Sequence, residues 1–234
     1  MGAPGRVAAV LAVGVAAATA GCGGGSDSSF ADKSGADIMS AAATDMAAVK
    51  SMHFLGDITS GGQRIHVDLR SSTAGECQGS MQIDKGTAQI VSSSGQAWMK
   101  PDHAFWEQQS PAQAAQVERL VGDKWVAIPL SSGLSKVCDL DNLLEQLSPS
   151  DQQAEGSKVV GTTTVNGADA VQVQGKSKQG DTVSAWVATG DPHHVLKLAV
   201  SNGDSPGTIT FSEFDVPLDI KTPAADEVAV IPGS

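Results

Sequence analysis

Apolar and polar side chains alternate at period two over much of this chain, and this alternation limits the folds that it can adopt. The segment 65–70, IHVDLR, is the clearest case, and the pattern returns in 162–175, TTTVNGADAVQVQG. Such alternation is typical of strands with one buried face. The pairs Gly61-Gly62 and Asn166-Gly167 lie between alternating runs, where they favour tight hairpin turns. The pattern therefore predicts antiparallel strands joined by short turns.

Two blocks of about five strands flank an insertion at about 101–153, in which the spacing of apolar residues is helical. Within it we expect helices over Pro111–Leu120 and Asp139–Leu147, the second with Asp139 as N-cap. An amphipathic helix is predicted over Asp37–Val49, before the first block. A sheet of ten or eleven antiparallel strands must curve, and its apolar face needs a cover that helices can provide. We therefore expect one α+β domain over residues 36–234.

The N-terminus has the form of an export signal. A single Arg6 precedes an apolar run of about 13 residues, which is too short to span a bilayer. The run ends in Thr19-Ala20-Gly21-Cys22, which resembles a bacterial lipobox with Thr where Leu is usual. This resemblance implies cleavage after residue 21 and a diacylglyceryl group on Cys22. The alternative is an ordinary signal peptide, with Cys22 as an unmodified thiol.

The segment after Cys22 supports the lipoprotein interpretation. Residues 22–35 are rich in Gly, Ser and Asp, a composition typical of a flexible tether. Two or three acyl chains on one cysteine suffice for stable anchoring. We therefore expect the mature protein to be attached to the outer face of the cell membrane, in the cell envelope.

The remaining two cysteines predict a disulfide. Cys77 and Cys138 form an even pair in a compartment that is oxidising, and neither belongs to a CxxC motif or has a histidine at metal-ligand spacing. A loop of about 60 residues closed by such a bond contributes on the order of 4 kcal/mol to stability.

Composition excludes some functions and leaves others open. Removal of the signal peptide leaves 14 basic and 26 acidic residues, a net charge of −12, which is unsuited to nucleic-acid binding. The sequence contains no HExxH, GxSxG or P-loop motif. We interpret His193 and His194 as solvated residues of a turn. The sequence thus predicts neither an enzyme nor a cofactor or metal site.

The order of the C-terminal segments resembles that of a known family. TTTVNGADAVQVQG at 162–175, VSAWVATGDPHHVLKLAVS at 183–201 and TITFSEFDVPLDIKTP at 208–223 follow it. The order is a strand, an NG-type turn, a strand ending in Gly, a Trp-containing strand with an acidic turn, and a last aromatic strand followed by Pro. In this respect, and in its lipobox, the chain resembles the LolA/LolB-like lipoproteins of actinobacteria, in particular the LppX/LprAFG family. The resemblance implies a half-open β-barrel with helices on its concave side.

The resemblance also implies a function. Family members hold lipids or lipidated glycans in a hydrophobic cavity between sheet and helices, and burial of acyl chains contributes about 0.8 kcal/mol per methylene. The candidate lipid-contacting residues are the apolar positions expected to face inward. They are Ile65, Val67, Leu69, Leu143, Leu147, Leu196, Leu198, Ile209 and Phe211.

Two interpretations stay open at this point. The candidate residues line a lipid cavity in a carrier lipoprotein, or they form an ordinary filled core in an envelope protein that acts as an interaction or sensor module without lipid cargo. The size of the interior cavity distinguishes them, because ligand sites usually have volumes of hundreds of Å³. The pattern of alternation gives the direction of a side chain but not what lies opposite to it.

Overall fold

A computed structural model of the chain describes residues 28–109, 111–129, 138–147, 156–177, 179–203 and 205–230. The predicted signal peptide and Cys22 lie outside these residues. The α-helices are α1 Ser28–Ala31, α2 Gly35–Ala48, α3 His103–Gln109, α4 Ala114–Val121 and α5 Leu140–Leu147. The strands are β1 Ser51–Ser60, β2 Gln63–Ser72, β3 Cys77–Ile83, β4 Gly86–Ser93, β5 Gln96–Pro101, β6 Val126–Ile128, β7 Lys158–Val165, β8 Ala168–Lys176, β9 Thr182–Ala188, β10 Val195–Val200 and β11 Gly207–Ser212.

All eleven strands belong to one antiparallel sheet. Their order is β6-β5-β4-β3-β2-β1-β11-β10-β9-β8-β7, so the two blocks of the sequence meet where β1 pairs with β11. The sheet is open, because β6 and β7 are its two edges and do not pair with each other. The α+β class and the large antiparallel sheet predicted from the sequence are confirmed.

Two glycines allow neighbouring strands to approach closely. A Cβ atom on Gly56 would lie 2.7 Å from the Cα of Ile209, and one on Gly79 would lie 2.9 Å from the Cα of Leu69. Gly79 also has a φ of +146°, which L side chains rarely adopt. Glycine inside a strand marks a bend or a close backbone approach. Gly56 and Gly79 thus mark positions where this wide sheet can curve.

Helix α2 begins where local sequence favours it. Ser34 is the N-cap, its hydroxyl accepts a hydrogen bond from the N–H of Asp37 at 3.1 Å, and Asp37 lies in the first turn. Ile38, Ala42 and Met46 are buried at helical spacing. The helix predicted over Asp37–Val49 is therefore present, with its start two residues earlier.

The segment before α2 differs from the prediction. Residues 28–31 form the single turn α1, and Phe30 is only 2% exposed. Burial of this aromatic side chain offsets part of the entropy that is lost when the segment is ordered. Residues 28–35 therefore belong to the folded domain and not to the flexible tether predicted over 22–35.

The insertion is partly helical, as predicted. Helix α5 starts after Asp139, whose carboxylate accepts a hydrogen bond from the N–H of Asn142 at 3.0 Å. Helix α4 starts at Ala114, three residues after the predicted Pro111. Helix α3 was not predicted; Asp102 caps it by accepting from the N–H of Phe105 at 2.7 Å.

The main core lies on one side of the sheet, which we call the inner face. Phe54, Val67 and Leu69 of the strands share one cluster of buried side chains with the helices. The helical members of this cluster are Ile38, Ala42, Met46, Phe105, Val121, Leu140 and Leu144. A second, smaller cluster contains Val165, Ala170 and Leu196. In the described ranges, no helix combines the length and the apolar character that a membrane crossing requires.

Candidate functional site

Apolar side chains of the inner face form rows that run across neighbouring strands. One row is centred on Phe54, which lies opposite Leu69 of β2 on one side and Phe211 of β11 on the other. This row continues through Gly79 of β3 to Ile90 of β4. Two of the candidate residues, Leu69 and Phe211, thus come together although 142 positions separate them in sequence.

A second row places three more candidates together. Gly56 lies between Val67 and Ile209, and Ile209 lies opposite Leu198 of β10. Ile65 belongs to a third row, opposite Ile58. Strand alternation therefore identified the correct face of β2 and β11.

Burial differs along these rows. Leu69, Phe211 and Val67 are 0%, 1% and 7% exposed. Ile65, Leu198 and Ile209 are half-buried and pack against the main cluster. The row through Phe54 is thus sealed from water, whereas the rows through Gly56 and Ile58 retain side chains that solvent reaches.

Helix α5 covers part of this face, but with a different set of leucines from the predicted one. Leu140 and Leu144 are 1% and 7% exposed, whereas Leu143 is half-buried against the cluster. Residues four apart lie on the same helix face, but the predicted Leu143 and Leu147 have the same i, i+4 spacing as Leu140 and Leu144, so spacing alone did not distinguish the two pairs. Leu147 ends the helix, and its side chain lies outside the described residues.

The alternation predicted that Leu196 and Leu198 share the inner face, but the structure separates them. The pairing of β10 with β9 shifts register between Val195 and Lys197, and the extra residue interrupts the alternation. Leu196 consequently packs in the second cluster with Val165 and Ala170. Val195, not Leu196, joins the main core and is 6% exposed. A bulge of one residue leaves no signal in a pattern of period two, so the sequence could not reveal it.

Several inner-face residues were not among the candidates. Strands β3, β4, β8 and β9 contribute them, as does α2. The strand residues are Met81, Ile83, Ile90, Val171, Val173 and Val187. Their strands were predicted, but which of them share a row follows only from the pairing register.

The disulfide connects the sheet to the insertion. Cys77 is the first residue of β3, Cys138 directly precedes the α5 N-cap, and their Cα atoms are 5.3 Å apart. Both cysteines are buried in the main cluster, at 0% and 4% exposure. The bond therefore fixes the beginning of α5 against the inner face.

A cavity of about 190 Å³ lies at the end of the sheet where β1 begins and β2 ends. It is smaller than most ligand pockets, which have volumes of roughly 300–1,000 Å³. Its lining residues are Met52, Arg70, Gln78, Glu213, Val216, Pro217, Leu218 and Asp219. Arg70 donates two hydrogen bonds to Glu213, at 2.5 and 2.9 Å, and this contact lowers the pKa of the Glu213 carboxyl and raises that of Arg70.

The outer face carries a chain of polar side chains from three adjacent strands. His53 Nε2 lies 2.7 Å from Asp68 Oδ1, and His53 Nδ1 lies 3.3 Å from Ser212 Oγ. In a hydrolase triad the carboxylate contacts Nδ1 and the serine contacts Nε2, so the arrangement here is reversed. In the described part of the chain, no group of three or more His, Cys, Asp or Glu side chains is placed to hold a metal ion.

His193 and His194 are not solvated, contrary to the prediction. The His193 ring stacks on Phe30, with 3.6 Å between the ring centres, and the His194 ring stacks on Phe214 at 4.1 Å. Burial lowers the pKa of His194, while the carboxylates of Asp215 and Asp45 oppose this shift. The two rings are shielded because α1 and the segment after β11 pack against them, which a local pattern cannot show.

Comparison with known proteins shows the fold. No protein-family model and no curated protein sequence matches the chain. LprF from Mycobacterium bovis is 12% identical, with 81% of this chain and 97% of that chain covered and a TM-score of 0.59. The lipoprotein LppX from Mycobacterium tuberculosis is 13% identical, with 80% and 98% covered and a TM-score of 0.52. The predicted resemblance to the LppX/LprF fold is therefore confirmed.

Proposed function

We propose that this protein is a lipoprotein of the cell envelope that binds an acylated lipid or glycolipid between its sheet and its helices. The observation that carries the proposal is the apolar inner face, whose rows extend from β5 across the sheet to β8. Half-buried Ile65, Leu198 and Ile209 are the positions at which acyl chains would gain most from contact, because they still expose apolar surface.

Anchoring through Cys22 is part of the same proposal. The lipobox-like sequence Thr19-Ala20-Gly21-Cys22 supports it, as does the fold shared with a mycobacterial lipoprotein. The expected location is the outer face of the cell membrane. We propose no enzymatic activity, because the Ser212–His53–Asp68 chain has its histidine contacts reversed relative to a hydrolase triad.

One observation favours a second candidate, an interaction or sensor lipoprotein without lipid cargo. The row through Phe54 is tightly buried, with Leu69 at 0% and Phe211 at 1% exposure. A filled interior of this kind leaves the outer surfaces to contact a protein partner of the envelope.

Native mass spectrometry of the protein purified from an actinobacterial host tests both candidates. A carrier retains extra mass under gentle conditions and releases an acylated species on denaturation. A polypeptide of bare mass that stays so after incubation with envelope lipids contradicts lipid binding and favours the second candidate. The intact mass also shows whether Cys22 carries acyl chains.

A matched pair of variants locates the bound lipid. Ile209→Trp adds volume at a half-buried position of the inner face, whereas Leu55→Trp adds the same ring on the outer face, where Leu55 is 37% exposed. We expect Ile209→Trp to lower the occupied fraction in the mass spectrum and Leu55→Trp to leave it unchanged. Equal occupancy in both variants would place the lipid elsewhere.

A further inference from the structure

The chain doubles back before α2, and this path determines where the N-terminal segment leaves the domain. Phe30 in α1 is 2% exposed, and its ring lies nearly parallel to that of His193, at an angle of 10°. The ammonium of Lys33 lies 5.0 Å from the centre of the same ring. Phe30 is thus held by stacking and by burial.

His193, on which Phe30 stacks, is itself fixed from two sides. Its backbone N–H donates to Asp45 Oδ2 of α2 at 2.7 Å. Its Nδ1 lies 3.2 Å from the carbonyl oxygen of Ala188, the last residue of β9. The contact site of Phe30 is therefore part of the packed fold and not a mobile loop.

The two ends of the sheet are distinct. We call one the anchor end; it carries the turns at 73–76, 94–95, 166–167 and 189–194. The far end carries the turns at 61–62 and 84–85, and there β8 leads to β9 and β10 leads to β11. Phe30 lies at the anchor end because His193 does. Gly35, which starts α2, packs on Ser157 before β7 and so lies toward the far end.

Chain length then limits how the domain can stand on a membrane. Seven residues lie between Phe30 and Cys22, and because α1 begins at Ser28, only the six steps from Cys22 to Ser28 can extend, over at most about 22 Å. Strand β9, which ends at the turn that holds His193, has seven residues and is about 23 Å long. The far end can therefore reach the bilayer only if that segment is fully extended, which costs conformational entropy.

From this geometry we propose that the anchor end is a membrane-facing surface, and that its partner is the lipid surface in which Cys22 is embedded. The inference rests on the proposed lipidation of Cys22. Val216 is 49% exposed at this end and supplies apolar surface toward the headgroups. Asp169 and Asp191 are exposed there too, so neutral headgroups suit the surface better than anionic ones.

Paramagnetic relaxation in a lipid nanodisc tests the orientation. The mature chain from Cys22, labelled with ¹⁵N-glycine, is coupled through the Cys22 thiol to a maleimide lipid in a phosphatidylcholine nanodisc that contains gadolinium-chelating lipid. The amides compared are Gly95, Gly167 and Gly190 at the anchor end, and Gly61, Gly180 and Gly203 at the far end. Because the ends are about 30 Å apart and the effect falls with the sixth power of distance, we expect at least about tenfold stronger relaxation at the anchor end.

Phe30→Ala is the decisive variant. Without the Phe30 contact, the chain leads directly to α2, which starts toward the far end, so we expect the contrast between the two sets of amides to vanish or reverse. Lys33→Ala is the matched control, because it leaves the stacked pair in place and keeps the contrast. If Phe30→Ala unfolds the domain, a Gly/Ser insertion of twelve residues after Gly25 makes the same test, because it lengthens the connection and lowers the contrast.

Equal relaxation of both ends in the unmodified chain would overturn the inference, as would a contrast that survives both Phe30→Ala and the insertion. Chemical coupling separates this result from the proposed function. If protein purified from the host carries no acyl chains on Cys22, the proposed lipidation is refuted. If the chemically coupled protein shows no difference between the two ends, only the membrane-facing surface is refuted.

Discussion

The two edges of the sheet are protected very differently. At the β6 edge the C-terminal segment adds a parallel bridge, in which the N–H of Trp125 donates to the carbonyl oxygen of Glu227 at 2.9 Å and that of Ala229 to Trp125 at 2.8 Å. Val126 in this strand is 5% exposed. An edge strand covered in this way offers few free backbone groups to another chain.

At the β7 edge, seven of eight residues are exposed, and Val160 is 56% exposed. No other strand of the described sheet pairs with the outer side of β7. The strand carries a single charge, Lys158, and a bulge between Val159 and Gly161. The disulfide, α3–α5 and the C-terminal segment thus seal one side of the domain, whereas the other side stays accessible.

Loss of the disulfide should destabilise the protein more than any other change considered at the sealed side. Replacement of both Cys77 and Cys138 by Ala removes a bond that closes a separation of 61 residues, and we expect a loss of about 4 kcal/mol in the free energy of unfolding. Urea denaturation of the domain measures it. Cys22→Ala is the control and should leave the midpoint unchanged; an equally small change in the double variant would show that the disulfide does not restrain the unfolded chain.

A matched pair of valines compares the edges directly. Val126→Ala removes two buried methyl groups at the β6 edge and should cost about 2 kcal/mol. Val160→Ala at the β7 edge should change stability by less than about 0.5 kcal/mol. Thermal unfolding of the two variants checks this. Similar losses in both would mean that β7 is covered in solution.

The pH dependence of stability sharpens the contrast, with opposite signs in the two regions. The folded-state pKa of His194 is lowered by burial, so the unfolded chain binds more protons as the pH falls below about 6.5 and stability decreases. His103 in α3 has a pKa raised by its hydrogen bond to Glu118, so its contribution is present at low pH and is lost as the pH rises through the folded-state value.

We therefore expect His194→Asn to lose less stability than the natural chain between pH 7.5 and 5.5, as measured by urea unfolding at each pH. His66→Asn is the control, since His66 lies on the outer face with its side chain 39% exposed. If the stability of His194→Asn falls with pH as steeply as that of the natural chain, the loss at low pH does not come from His194.

Amide hydrogen exchange compares the two edges without any change in the stability of the protein. Val165 and Ala168 flank the two-residue turn as a paired position, so the N–H groups of Thr162 and Thr164 point away from β8. We expect these two amides to exchange rapidly, and those of Trp125 and Ala229 slowly. Slow exchange at Thr162 and Thr164 would show that another chain pairs with β7.

Much of the architecture could be read from local patterns. Alternation around Val67 and Ile209 gave the strands and their buried side, and Asn166-Gly167 gave the hairpin turn, because these signals depend only on nearest neighbours along the chain. Cys77 and Cys138 were identified as partners by counting alone. The helical cap at Asp139 was predicted for the same local reason.

Other features depended on what the rest of the chain places nearby. The bulge that moves Leu196 out of the inner face, the stacking of His193 on Phe30, and the meeting of Leu69 with Phe211 all arise from pairing and packing between distant segments. Local sequence specifies which faces are apolar and where strands turn. Which apolar residues face one another depends on the tertiary structure, because the register between strands is fixed by the whole sheet and not by any one strand.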